Sequence, residues 1–268
     1  MDVYETYLAA AKREKGKVIG RSRFGREIFA FFRGDPAGKQ VILQGAIHAR
    51  EWITALLLLK MLENARSVRT VGVWFLPTVN PDGVLLATRG ISAVPEENRE
   101  TLLRLNGSRD FSLWKANGIG VDLNVNFPAD HGTGLKNRFT PASENFVGAF
   151  AASEPCTRAL MRFTRAVSPC LTVSFHTKGE VVYWHYPAKG FSGDLALGKR
   201  LFADFGYPFE KSIGSAGGYK DWCIKELGIP AYTVEMGADG LRHPVTEEAL
   251  PLLYQKAGTL VRRITEEL

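Results

Sequence analysis

The sequence predicts an α/β fold: one domain over residues 1–268, built as a three-layer sandwich with a mostly parallel, mixed central β-sheet flanked by helices. Two observations carry this. Short apolar runs of strand length alternate along the chain with longer helical segments, which is the pattern of strands joined by crossover helices. The chain has 268 residues, 45% of them hydrophobic and 23% charged, enough for one full core. No repeat, low-complexity tract or Pro/Gly/Ser-rich linker divides it.

The elements follow in order. Residues 12–39 hold nine basic and three acidic residues, equal to the whole chain's net charge of +6, and their alternation with apolar residues in Arg26-Glu27-Ile28-Phe29-Ala30-Phe31-Phe32-Arg33 reads as a solvated hairpin. Val41 to Ile47 reads as a buried strand and Trp52 to Asn64 as a helix apolar nearly all round. Val71 to Leu76, Leu171 to Phe175 and Ala231 to Val234 read as further core strands. Helices are expected over 153–167, 193–205, 219–227 and 246–267, the last opened by Thr246-Glu247-Glu248.

Composition excludes several classes. The longest apolar stretch, Ile53 to Leu62, contains Thr54 and Lys60 and is far short of a membrane span, so no membrane partner is expected. The start MDVYETYLAAAKREKGK has no basic segment followed by an apolar one, so a cytoplasmic location is expected. Cys156, Cys170 and Cys223 are odd in number and lack a C-x-x-C spacing, which suits buried thiols in a reducing compartment. The basic stretch carries no nucleic-acid reader motif, so no nucleic-acid partner is expected. Nothing in the sequence addresses oligomeric state.

Three of the expected strands run straight into residues able to bind metal or move protons: His48, His176 and Glu235. In open α/β sheets ligand chemistry gathers beyond the carboxyl ends of strands. His48 and Glu51, three apart where a strand turns into its helix, offer two ligands from one loop, and His176 offers the third, leaving a catalytic zinc its open position. An isolated H-x-x-E is more often a satisfied structural pair; the joint occurrence favours the metal. Asp122, in Gly120-Val121-Asp122-Leu123-Asn124, either accepts the second ring N–H of His48 or serves as a turn or cap. Glu235, after an apolar strand, suits a partly desolvated general base and acid rather than a fourth ligand.

These residues lie in blocks that resemble the M14 zinc carboxypeptidase family in its short bacterial form without a propeptide. Gly45 to Thr54 is similar to the first zinc motif, Pro77-Thr78-Val79-Asn80-Pro81-Asp82-Gly83 to the second block, and Gly120 to Asn124 to the substrate-binding block. Ser153-Glu154-Pro155, Ser174-Phe175-His176 and Thr233-Val234-Glu235 complete six collinear blocks. The resemblance implies one zinc ion per chain on His48, Glu51 and His176, Glu235 as catalytic acid and base, Asp122 behind His48, and Arg50 and Asn124 as substrate contacts.

The departures are as specific. Val125 follows Asn124 where family carboxypeptidases carry an arginine that grips the substrate's terminal carboxylate, and Ile119 also stands where an arginine is expected. Lys115 is the nearest match to the oxyanion-stabilising arginine, and it brings charge without a bidentate fork. The substrate-capping tyrosine falls at Ile213, with Tyr219 near enough to substitute. Lys220 falls at the position that sets the side-chain pocket, where a cation favours an acidic substrate group. The segments around Lys220 and Lys178 resemble the γ-D-glutamyl-meso-diaminopimelate peptidase branch, whose substrates carry extra carboxylates that Arg50, Lys178 and Lys220 complement.

The expected function is therefore zinc-dependent hydrolysis of an amide bond in a cell-wall muropeptide. The alternatives are a carboxypeptidase acting on ordinary peptides and a zinc-binding peptide receptor with weakened turnover.

Overall fold

The computed structural model describes residues 2–65 and 68–268. Asp2 caps the first helix, α1 (Val3–Arg13), its carboxylate accepting from the N–H groups of Tyr4 and Glu5. The hairpin β1 (Lys17–Arg21) and β2 (Glu27–Gly34) follows, then β3 (Lys39–Gln44), α2 (Ile53–Asn64) and β4 (Val71–Leu76). Next come α3 (Pro81–Arg89), α4 (Glu96–Asn106), α5 (Pro155–Val167), β5 (Leu171–His176) and β6 (Val181–His185). The chain continues through α6 (Leu195–Leu201), β7 (Phe209–Lys211), α7 (Tyr219–Leu227), β8 (Ala231–Glu235), α8 (Leu250–Ala257) and α9 (Leu260–Glu267).

Among the described residues the strands form one eight-stranded sheet in the order β1-β2-β4-β3-β5-β8-β6-β7. The β4-β3-β5-β8 centre is parallel and the β1-β2-β4 side antiparallel; β6 runs antiparallel to β8 and parallel to β7. Alternation sorts the side chains. Val41, Leu43, Phe175 and Val234 pack on one face with α1, α2, α6, α8 and α9. Ile42, Leu76 and Ala231 pack on the other with α5 and α7. These are the three expected layers, and each fully buried aliphatic side chain contributes about 1.5–3 kcal/mol. No helix among the described residues is long and apolar enough to cross a membrane.

Several boundaries move for local reasons. The 153–167 helix starts at Pro155, because proline suits the first helical turn, where no N–H is needed, and Glu154 takes the capping position. The 193–205 helix shortens to Leu195–Leu201, capped by Asp194. The 246–267 helix divides into α8 and α9 at Gly258-Thr259, and the Thr246 side chain caps no backbone N–H. The hairpin is packed rather than merely solvated. Arg26 pairs with Asp82 at 2.6 Å, Arg23 with Glu154 at 3.1 Å and Arg33 with Glu14 at 2.6 Å. Three of its arginines thus pair with acids of other segments, while most of its cations stay exposed. Cys156 and Cys223 are buried free thiols, whereas Cys170 is only half-buried, a correction to the expectation that all three are buried.

Candidate active site

The loop after β3 is held from three sides. Ala46, at φ +44°, donates its N–H to Thr54 Oγ1 at 2.8 Å, and that hydroxyl donates to the Glu51 carbonyl at 2.8 Å. Asn80 donates its side-chain amide to the carbonyls of Ile47 (3.0 Å) and Ala116 (3.2 Å), while its Oδ1 accepts from Gly83 N–H at the start of α3. Thr54 and Asn80 therefore aim the loop that bears His48 and Glu51. Sequence reasoning quoted both residues in motifs without giving either this role.

His48, Glu51 and His176 are all buried, and their ligand atoms lie within 4.8 Å of one another. His48 Nδ1 is 2.9 Å from Glu51 Oε1, His176 Nδ1 is 2.9 Å from Glu51 Oε2, and the two Nδ1 atoms are 3.1 Å apart. Thr177 N–H also points at Glu51 Oε2, at 3.3 Å. Two imidazole nitrogens and a carboxylate converging with no fourth protein ligand among the described residues fit a zinc ion that keeps one position open. Burial opposes charge on Glu51, but the two imidazoles outweigh it and hold the carboxyl well below its usual range. On His48 burial likewise opposes charge, and Glu51 and Asp122 raise the imidazole above its ordinary value.

Of the two uses left open by the sequence, Asp122 makes the turn and only approaches the His48 ring. Its Oδ1 accepts from Asn124 N–H at 3.0 Å, in a turn, and stands 3.4 Å from His48 Nε2, a long electrostatic contact rather than a short hydrogen bond. Its Oδ2 accepts from Asn145 N–H at 3.1 Å and from Lys115 Nζ at 3.0 Å. Burial would raise this carboxyl, yet Lys115 and His48 drive it far below the usual range. Lys115 lines the cavity described next while being tied down as the counter-ion of Asp122.

Beside the three ligands opens a cavity of about 360 Å³. Its lining includes His48, Lys115, Asn124, Val125, Lys220 and Glu235. β5 and β8 pair in parallel so that His176 stands directly beside Glu235, which fixes the carboxyl next to the ligand set. Burial, with Glu51 adding like charge, pushes Glu235 up to about 7 against the pull of His176. A carboxyl poised there can both accept and return a proton near neutrality.

The expected substrate contacts divide. Asn124 lines the cavity, its Oδ1 accepting from the backbone N–H of Tyr219 at 3.1 Å. Lys220 lines it too, its Nζ donating to the His185 carbonyl at 2.8 Å and to Asp221 Oδ1 at 2.6 Å. Arg50 lies outside the cavity lining, 3.6 Å from Glu144. Lys178 also lies outside it, with Nζ bound to Asp239. Tyr219 is corrected outright: it is fully buried and its hydroxyl bonds Thr164 at 2.8 Å. Consecutive residues on a helix point about 100° apart, so turning Lys220 to the cavity sends Tyr219 into the core. Ile213 is 91% exposed on the rim. Among the lining residues given no role by the sequence are Lys136 on the rim loop and Tyr183 on β6. Tyr183 falls inside the block around Lys178 that resembles the γ-D-glutamyl-meso-diaminopimelate peptidase branch but draws no role there, Lys136 lies in no motif, and only the folded sheet and loop bring the two to the site.

The family model of zinc carboxypeptidases, peptidase M14, matches residues 6–251. A γ-D-glutamyl-L-diamino acid endopeptidase of Lysinibacillus sphaericus is 29% identical over 260 residues, covering 91% of this chain. The chain spans 65% of that relative's length. Among solved structures, bovine thrombin-activatable fibrinolysis inhibitor superposes with a TM-score of 0.80 at 19% identity, covering 99% of this chain and 96% of the other. A murein-tripeptide amidase of Escherichia coli O157 superposes with a TM-score of 0.62 at 23% identity, covering 92% and 91%. At such identities these likenesses speak to the fold. With most of its length matched by the family model, the chain belongs to the peptidase M14 family of zinc carboxypeptidases.

Proposed function

We propose that this protein is a zinc-dependent peptidase that hydrolyses an amide bond in a muropeptide of the γ-D-glutamyl-diaminopimelate type. The observation that carries the reading is the cross-strand pairing of His176 with Glu235 above a cavity walled by Lys220. His48, Glu51 and His176 would hold the zinc ion, which when bound supplies a Lewis acid and lowers the pKa of water. Glu235 takes the proton of the attacking water and returns it to the departing amine. Asp122 orients the His48 ring, and Lys115, held by Asp122, keeps positive charge at the cavity edge. Lys220 offers its ammonium to a carboxylate on the part of the substrate that fills the cavity. The endopeptidase from Lysinibacillus and the amidase from Escherichia, by their names, act on substrates of this kind, and they support the choice.

A second reading, a carboxypeptidase on ordinary peptides, draws on Lys136, a rim cation able to meet a terminal carboxylate although Val125 brings none. Incubating the zinc-loaded protein with L-Ala-γ-D-Glu-meso-diaminopimelate, with an acidic-ended peptide and with its C-terminal amide separates the two. Cleavage of the first substrate alone is expected. Turnover only of the free-ended peptide would favour the carboxypeptidase, and tight binding of either without turnover would favour a receptor.

A further inference from the structure

The β6 wall of the cavity carries a group to which sequence reasoning assigned no role. In the antiparallel pairing of β6 with β8, Val181 stands opposite Glu235 and Tyr183 opposite Thr233. Directly paired residues share a sheet face, as do residues two apart, so Tyr183 lies diagonal to Glu235 on the same face. Both line the cavity. Lys220 reaches the same strand from α7, donating to the carbonyl of His185 two residues beyond Tyr183. An ammonium has three N–H groups; His185 and Asp221 take two, and one is left. The Tyr183 hydroxyl has no hydrogen-bond partner among the described residues.

We propose that the Tyr183 hydroxyl and the remaining N–H of Lys220 together receive a carboxylate on the leaving-group side of the scissile bond, making Tyr183 a specificity-determining residue. The proposal deepens the peptidase reading above and rests on it. The side is set by Glu235, which returns its proton to the leaving amine and borders the cavity, so the group filling the cavity belongs to that amine. Burial and the carboxylates of Glu235 and Glu210 push the phenol upward, so it keeps its proton and donates. Two donors lining one cavity match a carboxylate and mismatch a carboxamide, whose NH₂ would face one of them. The other cations are placed for other work: Lys115 is paired with Asp122 and Lys136 is exposed on the rim.

The test compares L-Ala-γ-D-Glu-meso-diaminopimelate with L-Ala-γ-D-Glu-L-lysine, which lacks only the distal carboxylate, using zinc-loaded wild type, Tyr183→Phe and Lys220→Met. Tyr183→Phe is expected to lose about tenfold or more in kcat/KM on the first substrate and little on the second, the loss of a hydrogen bond to a charged acceptor. Equal loss on both substrates, or none on either, overturns the proposal. Calorimetric titration of meso-diaminopimelate into the metal-free proteins provides a readout without turnover. Weaker binding by Tyr183→Phe with an unchanged circular dichroism spectrum supports the clamp, and unchanged binding rejects it. If wild type cleaves neither peptide, the peptidase reading fails while the titration still decides whether Tyr183 holds a carboxylate.

Discussion

The floor and the rim of this cavity are built on opposite terms. On the floor, His48, Glu51, His176 and Asp122 are each no more than 6% exposed, stand on a strand end or in a short braced turn, and are held by several hydrogen bonds. On the rim, Leu135 is 85% and Ile213 91% exposed, and the two loops meet through a hydrogen bond from Leu135 N–H to Gly214 O at 2.9 Å. The difference follows from what each must do. Ligand atoms have to keep their separations to within a few tenths of an ångström, which burial and redundant bonding secure. A substrate-facing rim needs only shape and chemistry, and loops supply those while leaving the scaffold intact.

The sharpest way to break the floor is to remove its proton carrier while leaving the ligands. Glu235→Gln keeps the shape and is expected to lower kcat by about 10²- to 10⁴-fold with zinc content unchanged. Glu51→Ala, by contrast, should abolish turnover together with stoichiometric zinc, read by elemental analysis of the dialysed protein. A Glu235→Gln enzyme at full speed would remove the residue from the chemistry.

The floor also contains two carboxyls with opposite pH behaviour. Asp122 is held far below its unfolded value, so its contribution to stability is present above about pH 4 and is lost as pH falls further. Glu235 moves the other way, from 4.5 up to about 7. For an acid raised by burial the native state holds the proton more tightly. Its relative stabilisation is therefore complete below pH 4.5 and disappears as pH rises through about 7. Urea denaturation of metal-free protein should show wild type losing about 3 kcal/mol between pH 4.5 and 8 beyond whatever Glu235→Gln loses. Parallel curves for the two proteins would contradict the burial of that carboxyl.

A smaller effect is expected one step back from the metal. Asp122→Asn leaves a hydrogen-bond acceptor beside His48 but removes the negative charge shared with Lys115. Zinc affinity should fall by about 10- to 100-fold, measured by competition with a chromophoric chelator. The companion change Lys115→Met separates the roles of Lys115. If it acts only through Asp122, affinity moves and kcat at saturating zinc does not; if it faces the substrate, kcat falls as well.

The same contrast explains what the sequence disclosed. Floor residues were legible because local signals coincide: an apolar strand ends, and a His or Glu follows at once, at His48, His176 and Glu235. The central strands were legible for the same reason, since burial on both faces leaves continuous apolar runs. α4 went unseen because Leu102 is its one buried residue, too few to print a helical period. α1 went unread because its segment speaks first to the absence of a basic-then-apolar start, although Val3, Tyr7 and Ala10 share one buried face. Tyr219 was misplaced because nearness in sequence to Ile213 was read as nearness in space, whereas Ile213 lies exposed on the rim and Tyr219 turns from α7 into the core. Tyr183 was invisible because its place beside Glu235 exists only through pairing between β6 and β8.

The rim is where the smallest change in stability and the cleanest change in selectivity should coincide. Ile213 and Leu135 have almost no burial to lose, so Ile213→Ser and Leu135→Ser should alter unfolding free energy by no more than about 0.5 kcal/mol. Both side chains nonetheless border the cavity, where an apolar substrate segment would cover them. Covering a few tens of Å² of apolar surface at about 25 cal/mol per Å² amounts to roughly 1 kcal/mol, a several-fold rise in KM when the side chain is replaced by serine. kcat should hold, because the floor geometry is set by strands that neither loop supports. A fall in kcat with KM unchanged would mean that the rim reaches the reacting atoms, and the division of labour between floor and rim would have to be redrawn.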